Sequence, residues 1–472
     1  MPAPRRRRVL TTTAVVVALA SLSGGAWALQ RWKPFAHQAG EVAWPQNLAD
    51  IAEFVEQTSG LHFLRGVDVE YLTGAEFDSR IDLAFPFPDP DPAEDAARDA
   101  AGRALGLWAG DFKRLEGERL LTDWHPQVAW VHEENVLVVR AAKSSSTLTP
   151  AAKAEAALEL TYALVDQHFH MRDRADAAPT RQGFLALQSV DVGFAVWMQQ
   201  QFVDDGLTAK ERTRYYDDIV DDSIEYDEST TDVAPAYRVL RTVASRLGLA
   251  FIELNSARRA QLHQVLSDDS PVALDQVALP VSKYQRRDTL ESVEQPRAPE
   301  GAQHLYDDQA GPLTLHLMIS TGMPSNEALT AADGWGNDAF VAYRLDGVVC
   351  VDLHVVADSR ADAERLEAGL TAWARARPPE AHALIGRDGV HLYVSACDPG
   401  TGVTQRVPTT GDADHFLDRA NLIYSLGGRR PERAECVGVT IFEQFDADEL
   451  YSFEFDYFAE IDAAQQDCAD AD

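Results

Sequence analysis

The chain has 472 residues, with 42 Lys and Arg against 75 Asp and Glu, which gives a formal net charge of −33. Its hydrophobic fraction of 46% and charged fraction of 25% are typical of a globular protein and exclude disorder of the whole chain. At about 150 residues per domain the length predicts two to three domains. The negative charge argues against nucleic acid as a partner, because phosphate binding needs a basic surface.

The first thirty residues have the pattern of an export signal. The basic block Arg5–Arg8 precedes the uncharged run Val9–Gln30, and Ala26-Trp27-Ala28 fits a small-x-small cleavage site. These 22 uncharged residues are also long enough to span a bilayer, so a cleaved signal peptide and a single N-terminal membrane anchor both stay open. Either alternative predicts a body outside the cytoplasm. Without the four arginines this body has 38 basic against 75 acidic residues, a net charge of −37.

The N-terminal part of the body has a mixed α/β pattern. Hydrophobic spacing predicts a helix over 51–58 and a strand over Val67–Tyr71. A proline-rich linker at Phe85–Pro92 precedes a helix near 93–107. The alternating runs Val128–Val131 and Val136–Val139 predict a hairpin.

Longer helices follow. Thr149 is a suitable N-cap and Pro150 fits the first helical position, where its missing N–H is not needed. The helix predicted from them covers 151–168. Further helices are predicted at about 183–203 and over 234–266.

The C-terminal part has paired strands around two Asp-Gly turns, which are strong hairpin signals. Strands are predicted at 339–343 and 348–356 around Asp346-Gly347, a helix at 361–376, and strands at 381–385 and 390–395 around Asp388-Gly389. The predicted organisation is therefore a domain at 31–279, a connecting segment at 280–333 and an α+β domain at 334–472.

The cysteines agree with export. An even number of cysteines in an oxidising compartment predicts one or two disulfides, and four thiols allow three pairings, which stay open. No Cys-x-x-Cys or Cys/His spacing indicates zinc. The four residues are Cys350, Cys397, Cys436 and Cys468.

The run 157–169, ALELTYALVDQHF, resembles the zinc helix of a family of exported HExxH metallopeptidase-like proteins, whose version reads HELTHALQDQHF. In such a helix two histidines at i and i+4 bind zinc, and the intervening Glu activates the metal-bound water. The Glu is present here as Glu159. The two histidine positions hold Leu158 and Tyr162.

The resemblance also implies a third ligand, a carboxylate from a following helix in a segment like ALVEGDA. Residues 186–192 match that frame, with Ser189 at the ligand position and Asp191 at the position of an orienting Asp. A catalytic zinc site needs three protein ligands and a water. Because Leu158, Tyr162 and Ser189 occupy the ligand positions, the resemblance implies a degenerate member with no metal and no cofactor.

Further matches extend the resemblance to roughly residues 50–380. They include Arg65-Gly66-Val67, the segment Pro271–Tyr284 and the turn Gly334–Asp338, which is similar to a GWGGD turn. The resemblance implies an α+β fold with a helical, gluzincin-like metallopeptidase core. A mixed α/β part would precede this core, and a C-terminal α+β sandwich-like domain would follow it.

Periodicity alone gives simpler interpretations of the same residues. Leu158 and Tyr162 belong to an apolar helical stripe typical of a core face. Glu159 is either a relic base or a helix carboxylate facing solvent or an Arg. His354 and His391 are predicted to be hydrogen-bonded sheet histidines, and Trp335 is predicted to anchor a turn.

These observations predict an exported pseudo-metallopeptidase that does not hydrolyse peptides. Glu159 would be its relic base and Asp191 its relic orienting residue, and an unidentified peptide or protein would bind between the helical core and the C-terminal domain. One alternative is a hydrolase with a non-zinc mechanism that uses Glu159, Asp191 and Tyr162. Another is an acidic scaffolding protein of the cell envelope.

Overall fold

The computed structural model describes residues 42–122, 126–256, 259–267, 269–427 and 430–469. The predicted export signal lies outside these residues, so the choice between a signal peptide and an anchor stays a prediction. Among the described residues, no helix combines the length and the apolar character needed to cross a membrane.

The fold is α+β, as predicted, and consists of two sheets surrounded by helices. The helices are α1 (Ala49–Ser59), α2 (Gly74–Ala84), α3 (Pro92–Leu105), α4 (Arg114–Leu121), α5 (Pro150–Phe169), α6 (Met171–Asp176), α7 (Arg181–Gln201), α8 (Ala209–Ser229), α9 (Pro235–Ser256), α10 (Arg259–Leu266), α11 (Leu274–Ala278), α12 (Gly311–Ser320), α13 (Ser325–Ala332), α14 (Arg360–Ala376), α15 (Thr410–Gly427), α16 (Pro431–Gln444), α17 (Ala447–Leu450) and α18 (Tyr457–Asp467). The strands are β1 (Asp68–Leu72), β2 (Val128–Val131), β3 (Val136–Arg140), β4 (Gln303–Asp308), β5 (Trp335–Leu345), β6 (Val348–Ala357), β7 (Leu384–Asp388) and β8 (His391–Cys397).

The smaller sheet has the strand order β1-β3-β2. The predicted hairpin of β2 and β3 is confirmed, and its register pairs Val128 with Val139 and Val131 with Val136. Strand β1 runs parallel to β3 on its other side. Strand β2 is therefore at the edge of the sheet, and helix α5 packs along it.

Helix α5 packs against this sheet and helix α7 packs against α5, and the two helices are here called the α5–α7 layer. The Thr149 side chain accepts a hydrogen bond from the N–H of Ala152, which confirms the predicted cap of α5. Thr180 caps α7 in the same way through the N–H of Gly183. Helices α7 and α9 approach so closely that a Cβ on Gly193 would lie 2.1 Å from the carbonyl carbon of Gly248.

The larger sheet is antiparallel with the order β4-β5-β6-β8-β7. Both predicted Asp-Gly hairpins are confirmed, and Asp346 and Gly347 have φ values of 51° and 84°, as such a turn requires. The strand predicted at 381–385 lies three residues later in the structure. Strand β7 begins at Leu384, because residues 379–381 form a 3-10 turn.

The predicted connecting segment 280–333 contains regular elements that the sequence did not indicate. Strand β4 pairs with β5, and helix α12 is buried at every position. At the end of this segment the Trp335 indole donates to Asp338 Oδ1 over 2.7 Å, and the N–H groups of Ala310 and Gly311 donate to the same carboxylate. Trp335 is the first residue of β5, directly after the turn at 333–334, so the predicted turn at Gly334–Asp338 is mostly strand and the indole bond lies within β5. One continuous core includes residues of both predicted domains, from Leu48 to Cys468, and the domain boundaries stay a prediction.

The disulfide pairing, which the sequence left open, is Cys350–Cys397 and Cys436–Cys468. The first joins β6 to β8 across the larger sheet, and the second joins α16 to the chain just after α18. Two disulfides indicate an oxidising, exported location, in agreement with the prediction.

Candidate functional site

Glu159 lies on the face of α5 that meets the edge strand β2. Its Oε2 atom accepts a hydrogen bond of 2.9 Å from the backbone N–H of Trp130, and only 8% of the residue is exposed. Burial raises the pKa of Glu159 to about 8. The bond from Trp130 opposes this increase, and the charges of Glu155 and Asp191 add to it. Glu159 therefore faces neither solvent nor an Arg, which corrects the simpler of the two sequence interpretations.

A second carboxylate of α5 contacts the same strand edge. Oε2 of Glu155 accepts from the backbone N–H groups of Gln127 and Val128, at 2.6 and 3.0 Å. Glu155 and Glu159 are four residues apart, so they lie on one side of the helix. Together they satisfy backbone donors along the edge of β2 that would otherwise be open to another strand.

The structure places Tyr162 and Asp191 in the electrostatic neighbourhood of Glu159. Burial raises the pKa of Tyr162 well above its ordinary value, and the charges of Asp191 and Glu159 add to the effect. Burial, and then the charge of Asp166, raises the pKa of Asp191 to about 7. Asp166 in turn lies 3.2 Å from the Nε2 atom of His132.

The other two predicted positions are arranged differently. Leu158 is partly exposed on α5. Ser189 is fully buried, its hydroxyl donates to the Leu185 carbonyl within α7, and its own carbonyl faces Gly248 of α9. Among the described residues, no group of three or more His, Cys, Asp or Glu side chains is arranged to hold a metal ion.

A groove of about 820 Å³ lies on the outer face of the larger sheet. One wall is part of the extended segment 291–302, here called the strap. The floor is formed by outward side chains of neighbouring strands, which follow from the register: Asp352 pairs with Ser395, and His354 pairs with Tyr393. Strand β7 adds Leu384 and Gly386 at the far side.

Two hydrogen-bonded groups form the polar part of the groove. The Tyr343 hydroxyl donates to Asp352 Oδ1 over 3.2 Å and accepts from the Ser395 hydroxyl. Burial, together with the Asp352 charge, raises the pKa of Tyr343, which keeps this donor protonated. Each member of the group thus has a defined orientation.

The histidines form the second group. His354 Nδ1 lies 3.1 Å from the Glu294 carbonyl, and its Nε2 lies 3.1 Å from His391 Nδ1. A carbonyl can only accept, so His354 carries its proton on Nδ1, and in the neutral pair His391 donates to Nε2. Both ring nitrogens of His354 are therefore used, which confirms the prediction of a hydrogen-bonded sheet histidine.

The strap is tied to the sheet along its length. The Asn337 side chain donates to the Glu291 carbonyl, and the Gln295 side chain donates to the Phe340 carbonyl. The Cys350–Cys397 disulfide joins the two floor strands beside Asp352 and Ser395. Wall and floor are therefore fixed relative to each other before any ligand binds.

A second cavity, of about 530 Å³, lies between residues 279–286 and helices α14 and α16, closer to the cleft expected from the sequence. Two of its charged groups, Lys283 and Glu435, already stabilise the fold. Lys283 Nζ binds Asp288 over 2.8 Å and also contacts Asp358, while Glu435 accepts from the N–H groups of Val281 and Ser282. The groove on the larger sheet, in contrast, presents polar atoms to solvent.

No protein-family model, curated protein or solved structure matches this chain. The resemblance to HExxH metallopeptidase-like proteins therefore stays a prediction, and so do the roles it implies for Leu158, Glu159, Tyr162, Ser189 and Asp191.

The groove was not predicted from the sequence. A signal was present, because Asp352 and His354 in β6, and Tyr393 and Ser395 in β8, alternate with apolar residues. This alternation indicates one polar face. The strap, however, is roughly 50 to 100 residues away from these strands in sequence, and its position over that face depends on the fold.

Proposed function

We propose that the protein is an exported, non-hydrolytic peptide-binding module, and that its groove binds an extended segment of a partner. The observation that supports this best is the groove itself, a prearranged concave surface with an aromatic side chain and accessible polar groups beside a sheet edge. Its volume of about 820 Å³ is within the range of roughly 300–1,000 Å³ for ligand sites.

No strand of the described residues pairs with the outer edge of β7, and an open edge favours a peptide over a compact ligand. Strands β7 and β8 are joined by a two-residue turn, so Asp388 and His391 form the first hydrogen-bonded pair. Backbone bonds alternate along an antiparallel pair, so the N–H and C=O groups of Ile385 and Arg387 point to the outer edge. An extended peptide binds such an edge through its main chain and places alternate side chains in adjoining pockets.

The proposal that the module does not hydrolyse peptides rests on the resemblance. Leu158, Tyr162 and Ser189 would occupy the ligand positions, and neither a Leu nor a Ser side chain replaces an imidazole or a carboxylate at zinc. In addition, the Glu159 carboxylate is already hydrogen-bonded to the β2 backbone. Stoichiometric zinc in the purified protein, together with peptide hydrolysis that a chelator abolishes, would contradict this part.

Binding is tested by blocking the groove. Gly386 lines the far side of the groove, and an added Cβ there would meet no atom within 4 Å, so we expect Gly386→Leu to be tolerated and to fill part of the groove. Gly402 is equally open but lies outside the groove, which makes Gly402→Leu a matched control. We expect fluorescence anisotropy with labelled extended peptides to show binding that Gly386→Leu abolishes and Gly402→Leu preserves. Equal binding by all three proteins would contradict the proposal.

A second candidate function is hydrolysis by Glu159 and Asp191 without zinc. It is favoured by the raised pKa values of about 8 and about 7, since paired groups titrating near neutrality suit general acid–base chemistry. Under this alternative, Glu159→Gln would abolish a peptidase or esterase activity that the wild type has. Absence of such activity in the wild type would leave the binding function alone.

A further inference from the structure

We propose that the groove selects an extended peptide with a Lys or Arg side chain, which it holds at Asp352 beside the ring of Tyr393. The proposal rests on the peptide-binding function above and adds the chemistry of the side chain that is recognised.

One carboxylate oxygen of Asp352 is available to a ligand. Its Oδ1 accepts from the Tyr343 hydroxyl, whereas among the described residues Oδ2 has no hydrogen-bond partner and no cation forms an ion pair with Asp352. The side chain is partly exposed on the groove floor. An oriented carboxylate with an open oxygen is the acceptor that an ammonium or guanidinium group binds most strongly.

Tyr393 provides the second contact. Its ring stacks on His354 with a centroid distance of 4.7 Å, which fixes the ring, yet 48% of the residue is exposed. Tyr393 is the diagonal neighbour of Asp352 across β6 and β8, a position about 7–8 Å away that long side chains reach. A cation that binds Asp352 can therefore also contact the face of this ring.

The charges around the groove favour the same class of ligand. Glu294 adds a carboxylate at the strap and Arg297 adds a guanidinium group there, so with Asp352 the Asp, Glu, Lys and Arg side chains that line the groove keep a net negative charge. The exported body as a whole has a net charge of −37, which attracts cationic segments from a distance. Acidic segments meet repulsion both at long range and at Asp352.

The experiment compares three acetylated and amidated seven-residue peptides of alternating Val and Ser, with Lys, Gln or Glu at the centre. We expect the wild type to bind the Lys peptide about ten-fold more tightly than the Gln peptide, and the Glu peptide most weakly. Added salt should reduce the Lys preference, because screening weakens a partly exposed ion pair.

The deciding variant is Asp352→Asn, which retains an acceptor for the Tyr343 hydroxyl. We expect it to bind the Gln peptide as the wild type does and to lose the preference for Lys. Asp346→Asn, in the β5–β6 turn outside the groove, is the matched control and should preserve the preference. A Lys preference that persists in Asp352→Asn would overturn the proposal.

The remaining outcomes separate this inference from the proposed function. If Lys and Gln peptides bind the wild type equally and Gly386→Leu blocks both, the charge preference is wrong but the groove still binds peptides. If no peptide binds, the proposed function fails as well. A dimer in light scattering that Gly386→Leu dissociates would show a second copy of the chain in the groove and contradict both proposals.

Discussion

The α5–α7 layer and the outer face of the larger sheet contain similar side chains and use them differently. In the layer, Glu155 and Glu159 accept hydrogen bonds from backbone N–H groups at the edge of β2, and burial raises the pKa of Asp191 to about 7. On the sheet, Asp352 is partly exposed and accepts a hydrogen bond from one side chain, while no described residue bonds to its other carboxylate oxygen. The segment that most resembles a catalytic motif is thus occupied with holding the fold together, while the accessible polar chemistry lies on a face without a motif.

The largest expected effect concerns the packing that positions α7 in the layer. Gly193→Ala would place a methyl group 2.1 Å from the backbone of Gly248, and backbone atoms cannot move aside as a side chain can. We expect a loss of about 3 kcal/mol in the free energy of unfolding, measured by urea denaturation. Gly402→Ala, which meets no atom within 4 Å, should lose far less. Equal stability of the two variants would mean that α7 and α9 do not contact as described.

Removal of the disulfide beside the groove should affect stability and binding together. The double variant Cys350→Ser/Cys397→Ser is expected to lose about 2 kcal/mol or more of stability and to bind peptides more weakly, because the floor strands are no longer linked. The double variant Cys436→Ser/Cys468→Ser is the matched control. It should lose comparable stability and keep wild-type affinity in the anisotropy assay. If the two double variants change peptide affinity equally, the groove does not depend specifically on the Cys350–Cys397 disulfide.

The buried carboxylate of the layer should give stability a distinctive pH dependence. Glu159 has a pKa of about 8 when folded and about 4.5 when unfolded, so between these values the folded state binds more protons. Stability should therefore fall as pH rises through this window, by up to about 1.4 kcal/mol per pH unit. Glu159→Gln keeps an acceptor for the Trp130 N–H and should remove this part of the slope. Denaturation of the wild type and of Glu159→Gln at several pH values measures this slope.

The control for that experiment is Glu133→Gln, which changes an exposed carboxylate. It should leave the pH dependence of unfolding as in the wild type. A wild-type slope that Glu159→Gln does not change would show that Glu159 is accessible to water. The contrast between a buried Glu159 in the layer and an accessible Asp352 in the groove would then be wrong.

The smallest expected effect lies on the sheet. Tyr393→Ala removes the half-exposed ring and should weaken binding of the Lys peptide by about 0.5–1 kcal/mol, which is a few-fold in affinity. Its melting temperature should stay close to that of the wild type. Phe453→Ala, which removes a fully exposed ring outside the groove, should change neither property. An unchanged affinity in Tyr393→Ala would exclude the aromatic contact.

Local elements were largely predictable from the sequence. Helix α5 follows from Thr149, Pro150 and helical spacing, and the hairpins follow from alternating strands around Asp346-Gly347 and Asp388-Gly389. Such signals act within a few residues, so they do not depend on the rest of the fold. Helix α12 escaped prediction because it is buried around its whole circumference, so its sequence has no clear amphipathic period to detect.

The sites depended on contacts between distant segments. The partner of Glu159 is a backbone N–H 29 residues earlier, and no pattern in α5 indicates that β2 would supply it. Likewise, the tautomer of His354 is set by the Glu294 carbonyl, 60 residues away on the strap. Pairing of the cysteines belongs to the same class, since composition allowed three arrangements and the register of β6 and β8 selected one.

The sequence by itself determined the strong negative charge, an export-type N-terminus outside the described residues, the α+β class and the elements with strong local signals. Only the tertiary structure decided which of the abundant carboxylates are buried and which are open. Charge and periodicity are properties of the chain as written, whereas the pKa and accessibility of a carboxylate depend on what packs around it. For Glu159 and Asp352 those surroundings come from strands and loops far away in sequence, and they give the two side chains opposite roles.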